Sequence, residues 1–172
     1  MEVLGIKTKE ANLSNLVRIK VIPVSHVNRV RRLKSSNEYV LPSRPVRVKA
    51  GRIFYKFVTL PPFSNFNEPK KDTQAGVVYD QVVTVVLPGD SADVRYLLEN
   101  LHEEKWIVAF QDSAGAKRLI GSKENPAIMS EDFSTAQPRG RKFEFRCTSA
   151  ERAYFLESLE EGELESSLKD IP

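Results

Sequence analysis

The sequence is poor in the residues that carry most active-site chemistry. It has one cysteine, Cys147, two histidines, His26 and His102, one tryptophan and eight glycines in 172 residues. A single cysteine excludes an internal disulfide and suits a reducing compartment. The two histidines stand far apart, with no second cysteine and no spaced carboxylates beside them, so no metal site is expected. Gly121-Ser122-Lys123 lacks the glycine spacing of a phosphate-binding loop, and no dinucleotide fingerprint is present. The adjacent acidic pairs Glu103-Glu104 and Glu131-Asp132 fit a solvated surface. No apolar run approaches the ~18 residues that cross a bilayer, so no membrane partner is expected. The N-terminal stretch MEVLGIKTKEANL lacks the apolar core of a secretory leader. From these absences neither an enzyme nor a cofactor is expected.

What is present is β-type patterning. The length fits one domain with a real core. In Leu13–Val24, Val17, Ile19 and Val21 alternate with polar residues, which predicts a half-buried strand that Pro23 confines to an edge or ends. Val46–Leu60 alternates most clearly, with Gly51 marking a bulge or bend and Ile53, Tyr55 and Phe57 sharing a face. Val77–Leu87 holds too many valines for a one-faced strand and predicts burial on both faces. After Pro88-Gly89, a cap at Asp90 or Ser91 opens a helix over about residues 91–103, with Val94, Leu97, Leu98 and Leu101 as its apolar stripe. Trp106–Phe110 and Lys117–Gly121 read as a hairpin turned at Asp112–Gly115. In Arg141–Thr148, Phe143, Phe145 and Cys147 lie on one face, which makes Cys147 a small core residue. The expected fold is therefore mainly β (α+β): an antiparallel β-sandwich or barrel with one flanking α-helix. One domain spans 1–156, with long loops at 25–45, 61–75 and 122–141. A mobile acidic tail follows at 157–172.

Charge is unevenly placed. Residues 1–86 carry 15 Lys+Arg against 6 Asp+Glu, whereas 87–172 carry 11 against 17. Such asymmetry suits a basic surface for nucleic acid, a head-to-tail contact between copies, or solvated strand faces. The candidate interaction residues are Arg29, Arg31, Arg32 and Lys34 in the first long loop, and Phe63 and Phe66 in the second.

Over residues 77–147 the order of signals resembles a known group. A valine-rich strand ends in Leu87-Pro88-Gly89, and a helix and a strand follow. Then come Asp112-x-x-Gly115, Arg118-Leu119-Ile120-Gly121, Asn125-Pro126, Asp132-Phe133-Ser134 and the aromatic strand Lys142–Phe145. This resembles small structural tail proteins of tailed bacteriophages and prophages, of the tail-tube or tail-terminator kind. The resemblance implies a β-sandwich or barrel with one helix and no catalytic residues. It implies a homo-oligomeric ring that contacts other tail proteins, located in the virion or the bacterial cytoplasm. The alternative is a nucleic-acid-binding β-domain that uses the basic N-terminal half.

Overall fold

The strand Lys105–Asp112 is buried on both of its faces, and the rest of the fold is arranged to cover it. The computed structural model describes residues 15–31, 40–41, 44–57, 61–88, 92, 95, 99, 105–136, 139–159 and 165–166. Fourteen strands lie among them. The first seven are β1 (Leu16–Pro23), β2 (Val27–Val30), β3 (Val40–Leu41), β4 (Val46–Val48), β5 (Tyr55–Phe57), β6 (Asn65–Asn67) and β7 (Lys70–Thr73). Next come β8 (Gly76–Pro88), β9 (Lys105–Asp112), β10 (Lys117–Ile120) and β11 (Ala127–Ser134). The last three are β12 (Gly140–Ser149), β13 (Tyr154–Leu156) and β14 (Glu165–Ser166). The protein is mainly β, as its alternation predicts. Pairing is antiparallel except for β13 with β3 and β14 with β4. Eleven strands share one folded sheet, and β14-β4-β2 form a second. No closed barrel forms among the described residues.

Successive residues of β9 point to opposite sides. Trp106, Val108 and Phe110 enter one core, and Ile107 and Ala109 enter another. The first core lies between β1, β9 and β10 on one side and β8, β11 and β12 on the other. Val83, Val85, Phe143, Phe145 and Cys147 supply its far wall. Its aromatic rings are closely packed: Phe57 stacks on Phe143 at 5.6 Å, and Trp106 meets Phe145 edge-on at 5.9 Å. The second core lies on the other face of β1, β9 and β10. Val27, Val46 and Val48 of the small sheet cover it, with Leu41, Phe54, Leu156 and Leu159.

The structure corrects several expectations. In β1 the register shifts between Leu16 and Arg18, so Val17 is an extra residue and faces solvent. The bulge puts Leu16 on the same core as Ile19 and Val21, while Ile22 fills the other core. Of the two outcomes expected of Pro23, β1 is not an edge, because it lies between β5 and β9, but it does end at Pro23. Val46–Leu60 is not one strand. A turn closed by Arg52 N–H on the Lys49 carbonyl (3.1 Å), with Gly51 at φ +73°, sends β4 and β5 into different sheets. Ile53 is therefore exposed and Phe54 is buried.

The three predicted loops hold paired structure. The 25–45 segment contains β2 and β3, 61–75 contains β6 and β7, and 122–141 contains β11 and the start of β12. Apart from β12, these strands are short or largely exposed, so backbone pairing defines them without the apolar rhythm that burial imposes. The body also extends beyond residue 156. Leu159 is buried in the second core, and Glu165–Ser166 pair with β4, so the acidic tail is not simply a free end. Of the predicted helix, Ala92, Arg95 and Glu99 are helical and exposed, and its apolar stripe lies outside the described residues.

One corner joins the two layers of the first core. β10 runs beside β9 as far as Ile120↔Val108, the chain turns out over 121–126, and β11 resumes at Ala127↔Trp106 before crossing to β12. Gly121 makes this corner with φ +83°, and a Cβ there would sit 2.7 Å from the Trp106 carbonyl oxygen and 3.2 Å from the Ala127 nitrogen. Both neighbours are backbone and cannot swing aside. Gly121→Ala is expected to lower the unfolding free energy by roughly 2–3 kcal/mol. Urea denaturation followed by tryptophan fluorescence measures this directly.

Candidate interaction surface

The most exposed regular structure is a two-stranded arm. β7 pairs with the first residues of β8 from Lys70↔Tyr79 to Thr73↔Gly76, around a turn at Gln74-Ala75. Gly76 has φ +118°, and the Thr73 hydroxyl donates to its carbonyl at 2.7 Å. Residues 70–77 are exposed on both faces, so backbone pairing, the turn and surface polar contacts hold the tip without apolar packing.

The base of the arm is clamped. The Glu68 carboxylate accepts the Ala153 N–H at 2.6 Å and the Gln81 side-chain amide at 3.3 Å, with the Arg152 guanidinium 3.8 Å away. The same Gln81 amide donates to the Glu151 carbonyl at 2.8 Å, and Arg152 lies over the Tyr79 ring at 4.9 Å. Gln81 is almost wholly buried, so leaving this cluster unpaired is costly. Asp80 pairs with Lys71 across the arm and accepts the Thr148 hydroxyl at 2.8 Å. These two hydrogen bonds, Lys71 first, hold its carboxyl below the ordinary aspartate value.

A second surface is basic. Between residues 11 and 67 the sequence has eleven Lys+Arg and one acid, Glu38. Arg29 of β2 lies directly opposite Arg47 of β4. Directly opposed residues share a face, and like charges there repel. Val46 and Val48 turn inward to the second core, so Arg47 faces outward. Its Nε is nonetheless buried, with no hydrogen-bond partner among the described residues. Lys123 reaches over from the 121–126 corner to the Asn28 carbonyl at 3.1 Å.

The predicted interaction residues separate on this framework. Arg29 and Arg31 are exposed on or beside β2, and the Arg31 N–H donates to the Pro45 carbonyl at 2.7 Å. Arg32 and Lys34 lie outside the described residues. Phe63 is exposed. Phe66 belongs to the interior, because it faces inward beside Val83 and packs on Phe110 with ring centroids 4.7 Å apart. The arginines sit over the second core and Phe66 in the first, so the two groups do not form one surface.

Sequence reasoning missed Arg118. Its guanidinium lies between Phe66 at 5.6 Å and Phe155 at 5.0 Å, and it pairs with Asp112 at 3.2 Å. Asp112 also caps the hairpin by accepting the Ala116 N–H at 2.9 Å. The Asp112-x-x-Gly115 spacing was the available signal. Its aspartate both closes the turn and holds the arginine.

A shallow groove of about 430 Å³ crosses the outer face of β11 and β12, lined by Ile128, Ser130, Glu144 and Arg146 among others. Lys142 holds the Glu144 carboxyl below its usual range. Cys147 borders the groove, but burial pushes its thiol up, and Sγ donates to the Asn125 carbonyl at 3.4 Å. A protonated, bonded thiol is a poor nucleophile. Among the described residues no group of three or more His, Cys, Asp or Glu converges to hold a metal. No described helix is long and apolar enough to cross a membrane. No protein-family model, no curated protein and no solved structure matches this chain.

Asp80 reports on the arm. Its folded pKa lies below the reference 3.8, so its contribution to stability is present above that value and is lost as pH falls through the folded pKa. NMR titration of the side-chain carboxyl is expected to give a midpoint below 3.8 in the native protein, moving upward in Lys71→Ala. An unshifted midpoint in both proteins contradicts the pairing.

Proposed function

We propose that this protein is a non-enzymatic structural subunit that self-associates, and that its assembly is of the phage or prophage tail kind suggested by the resemblance over 77–147. The exposed arm of β7 and β8 carries this reading. A hairpin with both faces in water contributes little to its own core, yet a buried polar cluster anchors its base. Such an element suits contact with a neighbouring molecule. Open strand edges add support. β11 pairs with β12 along its length but with β9 only at Ala127 and Ile128, so among the described residues one edge from Met129 to Ser134 is unpaired. Covering such edges is what a ring of subunits accomplishes.

The test is sedimentation of the wild type beside an arm-shortened variant in which Asp72–Val77 is replaced by Asn-Gly. That dipeptide closes a two-residue hairpin between Lys71 and Val78. The expected outcome is a concentration-dependent oligomer for wild type and loss of that oligomer in the variant, with an unchanged circular dichroism spectrum. A wild type that remains monomeric at high concentration overturns the proposal.

A second reading, nucleic-acid binding, is favoured by the opposed Arg29 and Arg47. It predicts oligonucleotide binding that weakens steeply with added salt and drops further in the R29A, R47A variant. Absence of binding at low salt removes it.

A further inference from the structure

The small sheet combines three observations. Its outer face sets Arg29 against Arg47, and Arg47 carries a buried Nε with no acceptor among the described residues. Its β4 edge already takes a strand from the acidic end of the chain: Glu165 pairs with Val46, and Ser166 with Arg47. That end is strongly charged, because residues 157–172 hold six Asp+Glu and one Lys. A pair of opposed cations on a sheet face attracts an anionic strand at the adjoining edge.

We propose that the β2–β4 pair is a receptor for an acidic extended segment, and that in the assembled protein residues 160–172 of a second copy take the place that the chain's own β14 occupies here. This rests on the self-association reading above and names its interface. β14 is held through two paired residues on a parallel edge, a contact that a second copy reproduces without loss. Leu159 stays in the second core as the anchor from which the segment departs. Every copy then carries one acidic donor and one basic acceptor, so the contact is heterologous and extends from copy to copy. An acidic peptide is favoured over a phosphate backbone because the strand beside Arg47 is already supplied by the acidic end of a chain.

Full-length charge reversal tests this and separates exchange between copies from pairing within one chain. The tail variant is E161K, E163K, E165K, and the sheet variant is R29E, R47E. R29E alone, at an exposed position, replaces the double variant if that fails to fold. Each variant alone is expected to self-associate about a hundred-fold more weakly than wild type. Mixed together they are expected to associate one to one, since the lysine tail of one then meets the glutamate sheet of the other. Sedimentation of the mixture and its components gives the result. A wild type that associates, with both variants associating equally well, keeps the assembly reading and overturns the tail interface. A monomeric wild type with no association in the mixture overturns both. Retention of a labelled oligonucleotide by wild type, its release by R29E, R47E, and no association in the mixture assign the sheet to a phosphate backbone and overturn the proposal.

Discussion

Burial of β9 on both faces is the constraint on which the rest of the structure depends. A strand carrying Trp106, Val108 and Phe110 on one side and Ile107 and Ala109 on the other is satisfied only by cover on both sides. The layer containing β8 and β12 supplies one cover. The small sheet, with Phe54, Leu156 and Leu159, supplies the other. Its two backbone edges need partners as well. β1 takes one edge along its length, and β10 and then β11 share the second. The Gly121 corner exists because one edge of β9 is handed from one strand to the next.

The double cover separates the surfaces. The first core closes with aromatic packing and with Arg118 held between Phe66 and Phe155, so that side is sealed by a cation bound to Asp112. The second core lies under a sheet whose outer face is basic. The acids of the arm and of β11 and β12 are mostly paired locally: Lys71 with Asp80, Arg141 with Glu131, and Lys142 with Glu144. Pairs formed by an exposed lysine, Lys71 with Asp80 and Lys142 with Glu144, contribute little to stability. Their effect is to leave the small sheet as the place where positive charge is not offset by near neighbours in sequence.

Legibility in the sequence follows burial. β12 is readable because Phe143, Phe145 and Cys147 face one core while Lys142, Glu144 and Arg146 face out. The β9–β10 hairpin is readable because Asp112 and Gly115 each perform a specific turn task. β1 is misread because the Val17 bulge shifts the alternation, and a bulge has no residue signature of its own. β7 and much of β11 are hidden because their residues are wet on both sides, so hydrogen bonding alone makes them strands. The same reason governs the candidate site. Arg29 and Arg31 stand out as a charge cluster, but the position of Arg29 opposite Arg47 depends on the pairing of β2 with β4 in the small sheet, which local patterns do not encode. Phe66 looked like a contact residue because its neighbours are polar, and only its pairing with Val83 turns it inward.

The arm also bears on how the molecule would carry load. β8 is one unbroken strand from the tip at Gly76 to Pro88, and β12 runs beside it from Ser149↔Tyr79 to Gly140↔Pro88. A pull on the tip along the strand is therefore delivered lengthwise into that ladder. Its hydrogen bonds lie across the direction of force and are strained together, whereas a pull across the strand would open them one after another. The clamp of Glu68 and Gln81 at the root of the arm keeps the force in the first direction. The hairpin is thus joined to the body as a tie-rod, stiff in tension along its own axis.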